Sequence, residues 1–389
     1  MRAKALVFAQ LMDLVPRHEF HACVKRYRGE HRLRRFSCRD QFLCMAFAQL
    51  TFRESLRDVE TCLRSLQPKL YRAGFRSRMS RSTLADANRY RDWRIYRDLA
   101  QVLIAEARSL YAGDSLGLEL EHAAYALDAT TIDLCLSLFP WAPMMLNKAG
   151  VRLHTLLDLR GNIPAFIRIS TAKMHEVRVL DELPLERNAF YVMDKAYIDF
   201  SRLYRMNQHG SFFVTRHKKD HAFVRRSRRA VDKTTGLRGD QTIRFNGPCN
   251  ARYYPADLRR IAFYDSERKK RLVFITNNFD LPPLSIAMLY RKRWHIELFF
   301  KWIKQNLKIK AFLGNSDNAV RTQIWIAVAV YVLVAILRRR FDSQLSMADI
   351  LQVLSVNVFE KTPLNTLFLK IHDTPNGGGD RNQLRLFDF

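Results

Sequence analysis

The chain has 389 residues, of which 65 are Lys or Arg and 38 are Asp or Glu, so its formal charge is +27. Such a charge favours a polyanionic partner, above all the phosphate backbone of a nucleic acid. The longest apolar run, residues 324–337, is too short to cross a bilayer, and the six cysteines form no C-x-x-C pair, which argues against a membrane span, a zinc ribbon and a disulfide framework.

Residues 1–118 are predicted to form a helical, DNA-binding domain, because their apolar residues recur at helical spacing. Within it, residues 55–93 resemble two helices of a helix-turn-helix, with Ser82 as an N-cap. The side chains expected to face a groove are Thr83, Asn88, Arg89 and Arg91. The connector is longer than a standard turn, so the alternative is a helical bundle whose basic faces contact phosphates.

From about residue 119 the pattern becomes a series of strands with interspersed helices, and a catalytic domain is expected over residues 119–372. Asp128 lies in the first predicted strand, and Asp194 directly follows the buried strand 189–193. An acid at the carboxyl end of a buried strand is a common catalytic placement. Taken singly, Asp128 could instead be a turn or edge residue, and Asp194 a helix cap.

Residues 217–281 contain several short strand-like runs and are predicted to be a β-rich insertion in this domain. The insertion opens on a basic segment, residues 216–238, which we expect to be a loop. Its densest positive charge comes from Arg225, Arg226, Arg228 and Arg229. Such a run is often only a solvated loop, but in a chain of this charge it favours contact with the DNA backbone.

Residues 290–304, YRKRWHIELFFKWIK, have the spacing of one helix with Tyr290, Arg293, Glu297 and Lys304 on a shared face. Alone, this pattern also fits a surface helix with an ion-paired stripe. Together with Asp128 and Asp194, however, Glu297 makes a third carboxylate on a separate element. Converging carboxylates repel unless cations bind, and oxygen ligands without a His or Cys cluster favour two Mg²⁺ or Mn²⁺ ions. The chemistry this predicts is phosphoryl transfer on nucleic acid.

The spacing Tyr290, Arg293, Glu297, Lys304 resembles the Tyr-Arg-Glu-Lys signature of the insertion-sequence-four family of DDE transposases, in the retroviral-integrase superfamily. The blocks LDATTIDL and VMDKAYID resemble that family's first and second Asp blocks. The resemblance implies an α/β (α+β) ribonuclease-H-like fold with a mixed sheet. It also implies Asp128, Asp194 and Glu297 as catalytic metal ligands, and Tyr290, Arg293, Trp294 and Lys304 as DNA contacts.

The activity implied is cut-and-paste transposition: binding of the element's terminal inverted repeats, cleavage, and joining of a 3′-hydroxyl to target DNA. A homodimer is expected in the synaptic complex, and whether a hairpin intermediate forms stays open. The alternatives are a metal-dependent nuclease without strand transfer and an inactive DNA-binding regulator. No signal peptide is recognised, so a cytoplasmic, nucleoid-associated protein without membrane contact is expected.

Residues 373–389 are predicted to be a flexible, Gly-rich tail that ends in an apolar peptide. Gln383, Leu384, Leu386 and Phe387 resemble the peptide through which bacterial replication proteins bind the sliding clamp. The alternative is that this peptide folds back on the catalytic domain.

Overall fold

The computed structural model describes residues 5–31, 35–145, 148–218, 221–306 and 312–372. The predicted tail, including the four clamp-peptide residues, lies outside these ranges. Seven helices precede the first strand: α1 (Val7–Met12), α2 (Arg17–Arg26), α3 (Cys38–Leu50), α4 (Leu56–Ser65), α5 (Gln67–Ala73), α6 (Arg81–Tyr90) and α7 (Arg94–Tyr111).

Serine caps fix the starts of three of these helices. Ser37 and Asp40 form a capping box at the start of α3, in which each side chain bonds to the other residue's backbone N–H. The Ser55 side chain caps α4 and the Ser80 side chain caps α6. The α3 helix is buried on nearly all sides, so the other helices pack around it.

The helix-turn-helix prediction needs four corrections. The N-cap of α6 is Ser80 and not Ser82, and the segment predicted as a connector contains the additional helix α5. Asn88 is buried and its side-chain oxygen accepts a hydrogen bond from Gln41. Arg91 is also buried, and its guanidinium donates to the backbone oxygens of Ser37 and Phe36. Periodicity identified the helices but could not show that these two polar side chains serve the helix packing.

The described residues that follow α7 contain one mixed sheet of ten strands. The strands are β1 (Ala124–Leu134), β2 (Pro143–Met145), β3 (Lys148–Asp158), β4 (Ile163–Thr171), β5 (Phe190–Met193), β6 (Phe212–Arg216), β7 (Phe223–Arg229), β8 (Leu237–Phe245), β9 (Leu258–Asp265) and β10 (Lys270–Thr276). Two α-helices lie between them, α8 (Phe200–His209) and α9 (Pro248–Tyr253), together with 3-10 helices at Glu176–Asp181, Lys195–Tyr197 and Lys233–Thr235.

The spatial order is β2-β3-β1-β5-β6-β10-β9-β8-β7, with β4 paired to β3. The pairs β1/β5 and β5/β6 are parallel, and the others are antiparallel. The strands predicted for the insertion therefore do not form a separate sheet, because β10 pairs with β6 and extends the central sheet. Residues 223–229, predicted as part of a basic loop, form the edge strand β7 instead. Strand propensity was masked there by the density of arginine.

Five helices follow the sheet: α10 (Pro283–Arg291), α11 (Trp294–Asn306), α12 (Asp317–Arg340), α13 (Met347–Asn357) and α14 (Leu364–His372). By length and composition α12 could span a membrane, but its most apolar window is 94% buried within the protein. It packs against α7, α3 and α6. The apolar run at residues 324–337 is thus part of a buried helix, and the helical region and the sheet share one hydrophobic core.

Candidate active site

Two aspartates meet where the parallel strands β1 and β5 end their pairing. Residues 124–127 of β1 pair with residues 190–193 of β5, and the last pair is Leu127 with Met193. Asp128 and Asp194 are the next residues on the two strands, so both lie at the same edge of the sheet. The strands are buried up to this pair, and β1 becomes half-buried from Asp128 onward. Apolar strands thus anchor two polar groups at a partly open edge.

The Tyr-Arg-Glu-Lys residues, which include the third acid, Glu297, come from two helices and not from one. The predicted continuous helix is interrupted at Lys292 and Arg293, where backbone N–H groups bond back three residues. Tyr290 lies at the end of α10, while Glu297 and Lys304 lie on α11. No proline or glycine marks the break, so periodicity could not reveal it.

Arg293 joins two of the three carboxylates. Its Nη1 donates to Asp128 Oδ2 at 2.7 Å, and its Nη2 donates to Glu297 Oε1 at 2.5 Å. The guanidinium carbon lies 5.9 Å from the centre of the Tyr290 ring. The Lys304 ammonium donates to the Thr131 backbone oxygen of β1 at 2.8 Å. The helical residues of the signature are therefore gathered against β1 beside Asp128.

The third carboxylate, Asp194, has its own arginine. Arg216, at the end of β6, donates to Asp194 Oδ1 from Nη2 at 2.8 Å and from Nε at 3.2 Å. Burial opposes ionisation of Asp194, but the Lys195 amide and the Arg216 guanidinium together hold its pKa below the usual value. Asp194 is thus an ionised carboxylate in the folded chain near neutral pH.

Asp128 differs from Asp194 in its electrostatic environment. Burial raises the pKa of Asp128 to about 6, and the Ala129 amide and Arg293 offset only part of this effect. The nearby Glu297 and Glu176 raise it further. A buried carboxylate next to other carboxylates gains most from an added cation.

Two groups near these acids were not assigned a role from the sequence. Tyr197 is fully buried, and its hydroxyl has no hydrogen-bond partner within the described ranges. Glu176 begins the first 3-10 helix and lies 3.5 Å from the Arg152 guanidinium. Glu176 has no sequence motif around it, so only the tertiary structure shows that it lies near Asp128.

A basic groove of about 910 Å³ opens on the Arg216 side of the site. Its cationic lining comes from four strands or their connections, Lys195, Arg216, Lys218, Arg260 and Arg271, and His217 lies among them. Burial, and then the neighbouring Arg260, lower the pKa of His217 to about 4, so this histidine is neutral. The sequence analysis missed this groove because its cations are scattered over more than 70 positions of the chain.

The four arginines predicted to contact DNA from the insertion lie on the edge strand β7. All four side chains are exposed, although Arg229 also donates to the Phe279 backbone oxygen. Trp294 is 47% exposed, with the Arg268 guanidinium 5.7 Å from its ring centre. It lines a different cavity from the basic groove, of about 410 Å³, with Lys292 and His295.

The donor set fits a hard divalent cation. In the described part of the chain no three His, Cys, Asp or Glu side chains are already arranged around a common point. Yet one guanidinium contacts both Asp128 and Glu297, so a single cation can reach both carboxylates. Carboxylate oxygens are the ligands that Mg²⁺ and Mn²⁺ prefer. A metal ion at this position would take the place of Arg293.

Comparison with known proteins agrees with this geometry. Residues 119–333 match the family model of the transposase DDE domain, and residues 3–76 match a domain of unknown function, DUF4372. The chain therefore belongs to the DDE transposase family. Transposases of this family use divalent metal ions generally. The predicted mixed α/β sheet preceded by helices and the predicted enzyme class, a DDE transposase, are both confirmed.

Its relatives are named as transposases, two of them as transposases of insertion sequence elements. A Sinorhizobium fredii protein named as transposase y4zB is 32% identical over 66% of this chain and 71% of its own length. A Geobacillus stearothermophilus protein named as a transposase of the element IS5377 is 27% identical over 53% of this chain and 54% of its own length. A Synechocystis protein named as a transposase of the element IS4SA is 25% identical over 78% of this chain and 84% of its own length. The predicted resemblance to insertion-sequence DDE transposases is confirmed.

Among solved structures, the cryo-EM structure of the piggyBac transposase synaptic complex with hairpin DNA aligns with 95% of this chain and 82% of its own. The sequence identity is 11% and the TM-score is 0.48, a likeness too distant to carry an inference.

Proposed function

We propose that this transposase excises its own insertion sequence and joins it to target DNA by two-metal-ion phosphoryl transfer. The observation that carries the proposal is that Asp128 and Asp194 directly follow the last residue pair of the parallel strands β1 and β5, while Arg293 bridges Asp128 to Glu297 of α11. An ionised Asp194 and an incompletely neutralised Asp128 suit a site that binds divalent cations.

In this proposal Asp128, Asp194 and Glu297 hold two Mg²⁺ or Mn²⁺ ions. When bound, such ions activate a water or a 3′-hydroxyl and stabilise the leaving oxygen of a phosphodiester. The chain itself positions the DNA. Tyr290, Arg293 and Lys304 contact phosphates next to the acids, and Trp294 offers an exposed ring for base stacking.

The DNA is proposed to extend from the acids across two basic surfaces. The basic groove beside Arg216 would take the strand nearest Asp194, because the described residues that line it include cations and no carboxylate. The exposed arginines of β7, Arg225, Arg226, Arg228 and Arg229, would contact the backbone farther out. These contacts position a duplex without specifying its sequence.

The proposed partners are the element's terminal inverted repeats, target duplex and a second copy of this chain, since two ends must be held together for excision. The clamp peptide at Gln383, Leu384, Leu386 and Phe387 stays a prediction from the sequence. A pull-down with the sliding clamp in which Leu386→Ala/Phe387→Ala binds as well as the unmodified peptide would remove it. Because the proposed substrate is chromosomal DNA, we propose that the protein acts in the cytoplasm, at the nucleoid.

The test uses the purified chain, a labelled duplex carrying the element's end, a target plasmid, and Mg²⁺ or EDTA. The chain should cleave at the end and join the product to the plasmid only with Mg²⁺, and Glu297→Gln should bind the duplex without cleaving it. Glu119→Gln, at an exposed position outside the site, is the matched control. Cleavage without joining would support a nuclease instead, and binding without cleavage in the unmodified chain a regulator.

A further inference from the structure

The helical region contains a cluster of arginines that the catalytic site does not use. Arg17 at the start of α2, Arg39 on α3 and Arg76 after α5 line one cavity of about 380 Å³. All three lie within residues 3–76, which match the domain of unknown function. Apolar Phe20 and Val24 form part of the cavity wall and are both buried.

The Arg39 side chain lies in an environment that favours a bound anion. Its side chain is half-buried, and its guanidinium forms no hydrogen bond or ion pair with any other residue that the structure describes. Burial, followed by the neighbouring charges of Arg17 and Arg76, lowers the pKa of Arg39, and the nearby Asp13 and Asp40 offset only part of this effect. A partly desolvated guanidinium that faces two like charges is unfavourable unless an anion compensates it.

The acids near the cavity compensate Arg39 only in part, and each has another partner. Glu30, which also lines it, accepts a hydrogen bond from the Cys38 backbone N–H at 3.0 Å. Asp40 accepts from the Ser37 hydroxyl and from the Arg76 backbone N–H. Asp13 pairs with Arg17 at 2.9 Å, but both side chains are more than half exposed, so this ion pair is weak.

The cavity continues into a second basic surface. Arg76 also lines an adjacent cavity with Arg64 and Arg78, and its guanidinium lies 4.3 Å from the ring centre of the exposed Tyr71. Arg76 therefore connects two cation-lined cavities into one path. A path of this kind suits a chain of phosphates better than a single small anion.

We propose that the cavity lined by Arg17, Arg39 and Arg76 is a DNA-backbone phosphate site, which gives the N-terminal helical region a direct contact with the duplex. Guanidinium groups bind phosphate oxygens in bidentate pairs and keep their charge at any physiological pH. This inference rests on the proposed function only in that the ligand is DNA. The site lies on helices separate from the three acids, so it can be tested independently of cleavage.

The experiment is a fluorescence-anisotropy titration of the full chain without metal, on the element-end duplex and on a scrambled duplex, over a range of salt. Arg39→Gln should weaken binding to both duplexes by the same factor, roughly 5- to 10-fold, and make the dependence of log K on log salt shallower by about one. Arg39→Lys should restore part of the affinity. The matched control is Arg187→Gln, which removes an exposed arginine beyond β4 and should leave the salt slope unchanged.

Arg17→Gln changes an exposed side chain and decides the question if Arg39→Gln fails to fold. Arg39→Gln and Arg17→Gln binding both duplexes like Arg187→Gln would overturn the proposal. A second result would also overturn it: inorganic phosphate at constant ionic strength stabilises the unmodified chain, and Arg39→Gln abolishes this stabilisation without weakening DNA binding. The site would then bind free phosphate and not DNA. A chain that binds DNA through Arg39 but never cleaves would contradict the proposed function and leave this site intact.

Discussion

Replacing Arg293 should make the acids bind metal more tightly in the absence of DNA. In the described structure the Arg293 guanidinium donates to Asp128 Oδ2 at 2.7 Å and to Glu297 Oε1 at 2.5 Å. A divalent cation that binds these two carboxylates must first displace the guanidinium. Arg293→Gln keeps a polar side chain of similar reach but removes the positive charge.

The size of the effect follows from the two contacts that are lost. A hydrogen bond to a charged group contributes about 1.5 to 3 kcal/mol, so two at the low end give about 3 kcal/mol, or roughly 100-fold in affinity. Calorimetric titration with Mn²⁺ measures this directly. Arg291→Gln is the control, since Arg291 pairs with the exposed Glu267 and contacts none of the three acids.

Adding DNA should reduce the difference in Mn²⁺ affinity between the unmodified chain and Arg293→Gln. If Arg293 moves to a phosphate when DNA binds, adding duplex should tighten Mn²⁺ binding to the unmodified chain and have little effect on Arg293→Gln. Metal loading would then depend on DNA binding. Equal Mn²⁺ affinity of the unmodified chain and Arg293→Gln without DNA would refute the competition between arginine and metal.

Three further predictions concern the sheet and its buried polar groups. Asp240→Asn should destabilise the protein by about 3–5 kcal/mol in urea unfolding, because it leaves the guanidinium of Arg259 uncompensated while both side chains are almost fully buried; a loss below about 1 kcal/mol would contradict this. Burial, followed by the Arg152 charge, lowers the pKa of His154 from 6.5 to about 4, so its contribution to stability is complete above pH 6.5 and declines as the pH falls toward 4. Between about pH 7 and about pH 4.5 the free energy of unfolding should therefore fall by roughly 2.5 kcal/mol because of His154, and this fall should be absent from His154→Leu. The same pH dependence in His154→Leu as in the unmodified chain would count against a buried neutral imidazole. Tyr197→Phe should keep or slightly raise the melting temperature, because the hydroxyl has no partner in the described ranges, while slowing cleavage; normal cleavage would show that the hydroxyl has no role at the site.

Much of the fold could be predicted because strand and helix periods are local properties. The buried runs that end at Asp128 and Asp194 are visible in the sequence, and so is the apolar helix that became α12. Caps were less predictable, since Ser80 and Ser82 both offer a hydroxyl near the start of α6 and only the backbone conformation selects Ser80.

What could not be predicted depends on contacts between distant segments. The helix break at Arg293 has no local signal in the sequence. The sequence therefore could not show that the Arg293 guanidinium bridges Asp128 and Glu297. The basic groove requires the antiparallel pairing of β10 with β6, which brings Arg271 near Arg216. Asn88 looked suitable for DNA contact, but its amide satisfies a buried polar group instead.

The most direct test of the central claim is a strand-joining assay on three single variants, Asp128→Asn, Asp194→Asn and Glu297→Gln, each checked for folding and for DNA binding. All three variants should still bind the element-end duplex, and none should yield product joined to the target plasmid with Mg²⁺. A joined product from any one of them, at the level of the unmodified chain, would remove that carboxylate from the active site and contradict the three-acid arrangement.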